Sequence, residues 1–161
     1  MTRRRHSIPP QPRKWFQSLI ECFGDALKIR VAYQGCRPIA AILTLRYKDT
    51  LVYKNGCSDA RFHNLGGIHM LFWRAIQEAK QDGLQVLDLG RSDQYNEGLV
   101  RFKDNWGARC TELTYFRMGS TKLGMIARGN WRRVAALQRT FRYLPDWALC
   151  LVGRIIYRHI G

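Results

Sequence analysis

Residues 68–89, IHMLFWRAIQEAKQDGLQVLDL, change hydrophobic period within a few positions, and that change restricts the fold more than any other feature. Ile68, Leu71, Phe72, Ala75, Ile76 and Ala79 recur at i, i+3, i+4, i+7, i+8 and i+11, the repeat of an amphipathic helix, and Gly83 ends it. LQVLDL, 84–89, follows as a short apolar run with the density of a strand inside a sheet. Helix and strand in direct succession point to layers of both kinds.

The flanks agree. Trp15, Phe16, Leu19, Ile20 and Phe23 form one face of a helix beginning near Arg13, and Gly24 sits where a helix stops. LKIRVAY (27–33), IAAILTLRY (39–47) and LVYK (51–54) read as three strands joined by the short turns QGCRP and KDT, an antiparallel meander. NGCSDARFHNLGG, 55–67, reads as a polar loop, and Cys57 within it as a buried loop cysteine. Asn96 can cap a helix over 97–106, with Glu97 in its first turn and Leu99, Phe102 and Trp106 on its inner face. CTELTYF, 110–116, reads as a last strand. The expected fold is α/β (α+β): a mixed central sheet flanked by helices, without internal repeats. At 161 residues the chain suits one such domain and is too short for two of ordinary size.

Charge divides the chain differently. The net charge of +15 is concentrated at the ends: residues 1–14 hold five Lys/Arg and no acid, and residues 117–161 hold nine against Asp146 alone. We therefore expect a basic Pro-rich linker over 1–12, a domain over 13–116, and a basic amphipathic helical tail over 117–161. Within the tail, 131–144 has a helical pattern, and 144–161 is apolar over a length too short to span a bilayer. Opening on a basic linker suggests an upstream segment. The basic ends suit an anionic partner (RNA, a phospholipid surface or a phosphorylated substrate) or else a solvated fringe. Trp147, Leu149, Leu151, Ile155, Ile156 and Tyr157, with Arg154 and Arg158, suit either an interfacial helix at the inner face of a membrane or packing on the domain. Five widely spaced cysteines with no C-x-x-C suit a reducing cytosol and no zinc site.

Polar residues beyond the carboxyl end of a strand are where such sheets handle ligands. Asp88, Arg91, Ser92 and Asp93 occupy that position. Asp88 could orient a nucleophile, Arg91 clamp an anion and Ser92 donate a hydrogen bond; alternatively Asp88 and Ser92 cap the turn and Arg91 pairs with Asp93. Lys103 follows Phe102 at the edge of an inner helix face, where it offers a cation to an oxyanion or a phosphate, or snorkels to water. His63 and His69 flank Gly66–Gly67 and serve either as a base or in turn packing. An exposed aspartate near pKa ~3.9 is a poor base at neutral pH, so the general base is unassigned.

The run from Asn64 to Phe116 resembles the second half of a GNAT-type acyltransferase. More closely, YKNGCSD, LFWRAIQEAKQDG, DLGRSD and GLVRFKDNWGA resemble the Fem-type branch, which includes aminoacyl transferases of peptidoglycan bridge formation and relatives found with exosortase systems. The resemblance covers residues 13–116. It implies an acyl or aminoacyl transfer to an amine, in cell-envelope or exopolysaccharide metabolism. Lys103 would handle the acyl donor and the transition-state charge, with Phe102 as its packing partner. The implied donor is aminoacyl-tRNA or acyl-CoA, with no tightly bound cofactor and no metal. The Q/R-x-x-G-x-G/A turn of CoA-using relatives is matched only at Gly66 in the register His63, Gly66, Ile68, although Gly66–Gly67 permits a close backbone approach. Fem-type proteins pair two GNAT-like halves, which implies a partner chain supplying the first half. The competing expectation is a non-catalytic half-domain that binds RNA, a membrane surface or a partner.

Overall fold

Alternation and short turns build the meander first. In the computed structural model, which describes residues 10–93, 95–114, 116 and 144–156, strands β1 (Leu27–Gln34), β2 (Arg37–Tyr47) and β3 (Thr50–Ser58) pair antiparallel in sequence order. Both hairpins turn in two residues. Gly35 takes φ 57 in the first, and Lys48 takes φ 53 in the second, a left-handed conformation that non-glycine residues seldom adopt. Helix α1 (Arg13–Phe23) precedes the sheet. Helix α2 (Gly67–Gln81) follows it and leads to β4 (Val86–Asp88), which pairs parallel to β3. Helix α3 (Glu97–Asp104) comes next, and α4 (Asp146–Ile156) lies near the C-terminus. The chain forms two compact units, Ser18–Cys110 and the segments on either side of it.

The core lies between one sheet face and α2. Ala32, Ala40, Ile42 and Leu51 from the strands meet Leu71, Phe72 and Ala75 from the helix, as the period of 2 and the period of 3.6 require. A polar strut crosses the same face. Arg30 donates from Nη1 to Thr44 Oγ1 at 2.8 Å and from Nη2 to Glu78 Oε2 at 2.6 Å, and Thr44 is 2% exposed. Lys28 adds ion pairs of 3.8 Å with Glu78 and Asp82.

The Arg30 hydrogen bond, aided by the charges of Arg30, Lys28 and Arg74, holds the Glu78 carboxyl below its ordinary range. A depressed carboxylate contributes stability that is present above the unfolded value of ~4.3 and lost as pH falls through the folded one. Glu78→Gln should therefore flatten the loss of stability below about pH 4.3. Urea midpoints measured from pH 6 down to pH 3 for both proteins check this; parallel curves would remove Glu78 from the acid transition.

Three expectations change. Among the described residues the 84–89 strand is not interior: β4 is three residues long at the sheet edge, in the order β1-β2-β3-β4, and Val86 is exposed. Residues 110–114 form no strand, and Leu113 is exposed. β-propensity only expresses itself against a paired neighbour, and the chain turns away from β3 after Asp88, so β4 presents the edge. Finally, 55–58 belong to β3 rather than to a loop, and Cys57 is exposed on that strand. The pattern 131–144 lies outside the described residues except for Leu144, as does most of the 1–12 linker.

Candidate active site

β3 and β4 stay together for only three pairs, Thr50↔Val86, Leu51↔Leu87 and Val52↔Asp88, and then separate. The cause is local to each chain. On β3 the partner of Thr44 is Tyr53 and the partner of Leu43 is Asn55, so Lys54 is an extra residue, a bulge that bends the strand. Just after β4, Gly90 takes φ 67 and swings the chain into the 91–93 loop.

Gly90 is held by two hydrogen bonds. Its N–H donates to Asp88 Oδ1 at 2.7 Å, and its carbonyl accepts from Lys103 Nζ. A Cβ at this position would lie 3.7 Å from the Tyr53 carbonyl. Lys103 is 9% exposed, the one charged side chain buried among the described residues. Burial pushes its pKa below the ordinary lysine value, while Asp88 and Cys110 act in the opposite direction. Helix α3 delivers the lysine: Asn96 Oδ1 accepts from the Leu99 N–H at 3.2 Å as its cap. Phe102 and Trp106 bind the helix to α2, with ring centroids 5.3 and 5.6 Å from Phe72.

The structure thus joins Asp88 and Lys103 through Gly90, while Phe102, the residue before the lysine, packs on Phe72. Ser92 Oγ is buried in the adjoining loop, without a hydrogen-bond partner among the described residues. Arg91 and Asp93 are exposed. Asp93 accepts from the Tyr95 N–H at 3.1 Å and helps line an open hollow of about 470 Å³ with Tyr95, Asn96, Glu97 and Gly98. Gly66 (φ 63) and Gly67 begin α2, and Gly67 is so close to β2 that a Cβ there would be 3.1 Å from Ala40 Cβ. His63 Nε2 lies 2.8 Å from Ser58 Oγ, and His69 stacks on Trp106 at 6.3 Å. Among the described residues no three His, Cys, Asp or Glu side chains gather as a metal site.

Sequence reasoning missed Tyr53 and Gly56. The Tyr53 ring packs 4.6 Å from Phe72, and its hydroxyl lies over Gly56, where a Cβ would overlap it. Burial, with Cys57 alongside, raises the phenol pKa. A glycine within a strand pattern is the signal of such a close approach.

A family model described as an acetyltransferase (GNAT) domain matches residues 1–104. The chain belongs to the GNAT acetyltransferase family. It is accordingly an N-acyltransferase, and the four-stranded mixed sheet with its parting β3 and β4 is a GNAT sheet. No curated protein matches it. Among solved structures it is similar to AAC(6')-Iy in complex with the bisubstrate analogue CoA-S-monomethyl-acetylneamine: 13% identity, 73% of this chain and 86% of that one, TM-score 0.58. Aminoglycoside 6'-N-acetyltransferase AAC(6')-Ih from Acinetobacter baumannii gives 14% identity, coverage of 69% and 84%, and TM-score 0.56. A transcriptional regulator from Bacillus halodurans C-125 gives 16% identity, coverage of 67% and 77%, and TM-score 0.55. At such identities the likeness is one of fold.

Proposed function

We propose that this GNAT domain moves an acyl group from acyl-CoA to a primary amine, with the thioester in the gap that opens where β4 leaves β3. The observation that carries the reading is that three-pair junction, with the start of α2 beyond it. The first N–H groups of a helix have no acceptor within it and attract phosphate, so Gly66 and Gly67 suit the donor's pyrophosphate. The bisubstrate analogue bound by AAC(6')-Iy joins CoA to an amine-bearing acceptor, which supports the same pairing of substrates.

In the reaction the amine nitrogen attacks the thioester carbonyl, the C–S bond breaks, and the proton lost by the amine balances the thiolate. Lys103 has three N–H donors and gives one to Gly90, leaving two for the developing oxyanion. Asp88 orients the amine, Arg91, Ser92 and Asp93 form the acceptor side, and Phe102 fixes the lysine-bearing helix. The Fem-type resemblance narrows the acceptor to a cell-envelope amine, handled at the inner face of a membrane with a partner chain supplying a first half. Aminoacyl-tRNA is the rival donor.

Acetyl-CoA and a panel of primary amines that includes an aminoglycoside should give amine-dependent release of free thiol. Lys103→Met should lower that rate by about 100-fold or more, and the loss of its bond to the Gly90 carbonyl should lower the melting temperature by only a few degrees. Full activity in the variant would remove the lysine from the mechanism. Transfer from aminoacyl-tRNA alone would replace the donor. Salt-sensitive tRNA binding with no transfer from either donor would leave the binding half-domain.

A further inference from the structure

Helix α4 buries one face and exposes the wrong kind of other face. Leu149 is 4% exposed, and Gly153 lies so close to Pro10 that a Cβ would overlap the Pro10 carbonyl. Opposite them, Trp147, Cys150, Leu151, Arg154 and Ile155 are exposed at i, i+3, i+4, i+7 and i+8. A surface helix ordinarily turns charged and polar groups to water. This one turns out Trp147, Leu151 and Ile155, which are 72%, 50% and 61% exposed, and a single arginine.

We propose that this face docks on an anionic phospholipid bilayer, with α4 lying in the plane of the interface. The described eleven residues rise roughly 16 Å, about half the ~30 Å hydrocarbon layer, a length that suits lying in the interface. No helix among the described residues is long and apolar enough to cross a membrane. The residue types fit the depth, since tryptophan settles at the headgroup boundary and Arg154 can extend its guanidinium to the phosphates. Charge decides between a bilayer and a second copy. Residues 117–161 carry nine Lys/Arg and one acid, so two copies brought together through this segment would repel, whereas an anionic leaflet attracts it. Three apolar side chains hold a membrane only marginally, so the apolar face and the basic segment are needed together.

Vesicle binding needs no acyl substrate, so its outcome is independent of the donor reading. The full chain is sedimented with vesicles of neutral phosphatidylcholine and with vesicles containing one-third phosphatidylglycerol. Retention should be at least 10-fold greater on the anionic vesicles and should fall with added salt. Replacing Trp147, Leu151 and Ile155 with serine should cut anionic retention about 10-fold; these side chains face outward, so circular dichroism should not change. Brominated lipid should quench wild-type emission, and Trp147→Phe should remove most of that quenching. Equal retention of wild type and the triple variant, or no retention of wild type on either vesicle, overturns the proposal. A wild-type dimer that the triple variant turns into a monomer also overturns it, in favour of a second copy.

Discussion

Phe72→Ala should lower the unfolding free energy by about 3–5 kcal/mol, the usual effect of removing a fully buried aromatic ring. Phe72 is 2% exposed and meets three rings: Tyr53 on β3 at 4.6 Å, Phe102 on α3 at 5.3 Å and Trp106 just after α3 at 5.6 Å. The first pair is tilted, the second edge-on and the third stacked, and such pairs add about 0.5–1.5 kcal/mol each beyond area burial. Domains of this size are stable by about 5–15 kcal/mol, so the variant would be near its unfolding limit. The damage would also be directed. Phe72 is the shared wall of α2, β3 and α3, so a cavity there unseats the helix that carries Lys103. Urea titration should show a lower midpoint with an unchanged slope, and Phe72→Leu should recover more than half of the loss because it refills most of the volume. A loss below about 1 kcal/mol for the alanine variant would mean that the ring cluster does not carry the core.

The parts of this fold that were legible in the sequence are those set by local periodicity. The helix over 68–79 declared itself through Leu71, Phe72 and Ala75, which all face the sheet. The meander was visible in three strand-like runs joined by short turns, and Asn96 caps α3 as its side chain suggests. What was hidden depends on a distant partner. LQVLDL has the composition of an interior strand, yet its neighbour on one side is β3 and it has none on the other among the described residues. Asn55–Gly56 reads as the start of a polar loop, but the strand continues through it because the bulge at Lys54 realigns the pairing with β2. At the site, position 103 was identifiable as the edge of an inner face. Whether its head is wet or buried depends on the carbonyl of Gly90, thirteen residues earlier, which no local pattern encodes.

Gly56→Ala should destabilise the domain by about 1–3 kcal/mol, an overpacking effect at a position whose backbone φ is ordinary. The new methyl group would occupy the space of the Tyr53 hydroxyl oxygen and sit 3.1 Å from Tyr53 Cζ and 3.4 Å from Cε2. The phenol cannot simply rotate away, since its ring is held against Phe72 at 4.6 Å. It must shift as a body, and its backbone carbonyl borders Gly90, so the displacement reaches the junction where β3 and β4 part. Tyr53→Phe removes the overlapping oxygen and leaves only the longer ring-carbon contacts, which relax by a few tenths of an ångström. In the double variant Tyr53→Phe/Gly56→Ala most of the lost stability should therefore return, giving a coupling of about 1–2 kcal/mol between two positions three residues apart. Acyl transfer should follow the same order, with the alanine variant slowest and the double variant partly restored. Additive losses in the cycle would show that Gly56 is required for some reason other than the hydroxyl above it, and Tyr53 would then have no claim to shape the gap.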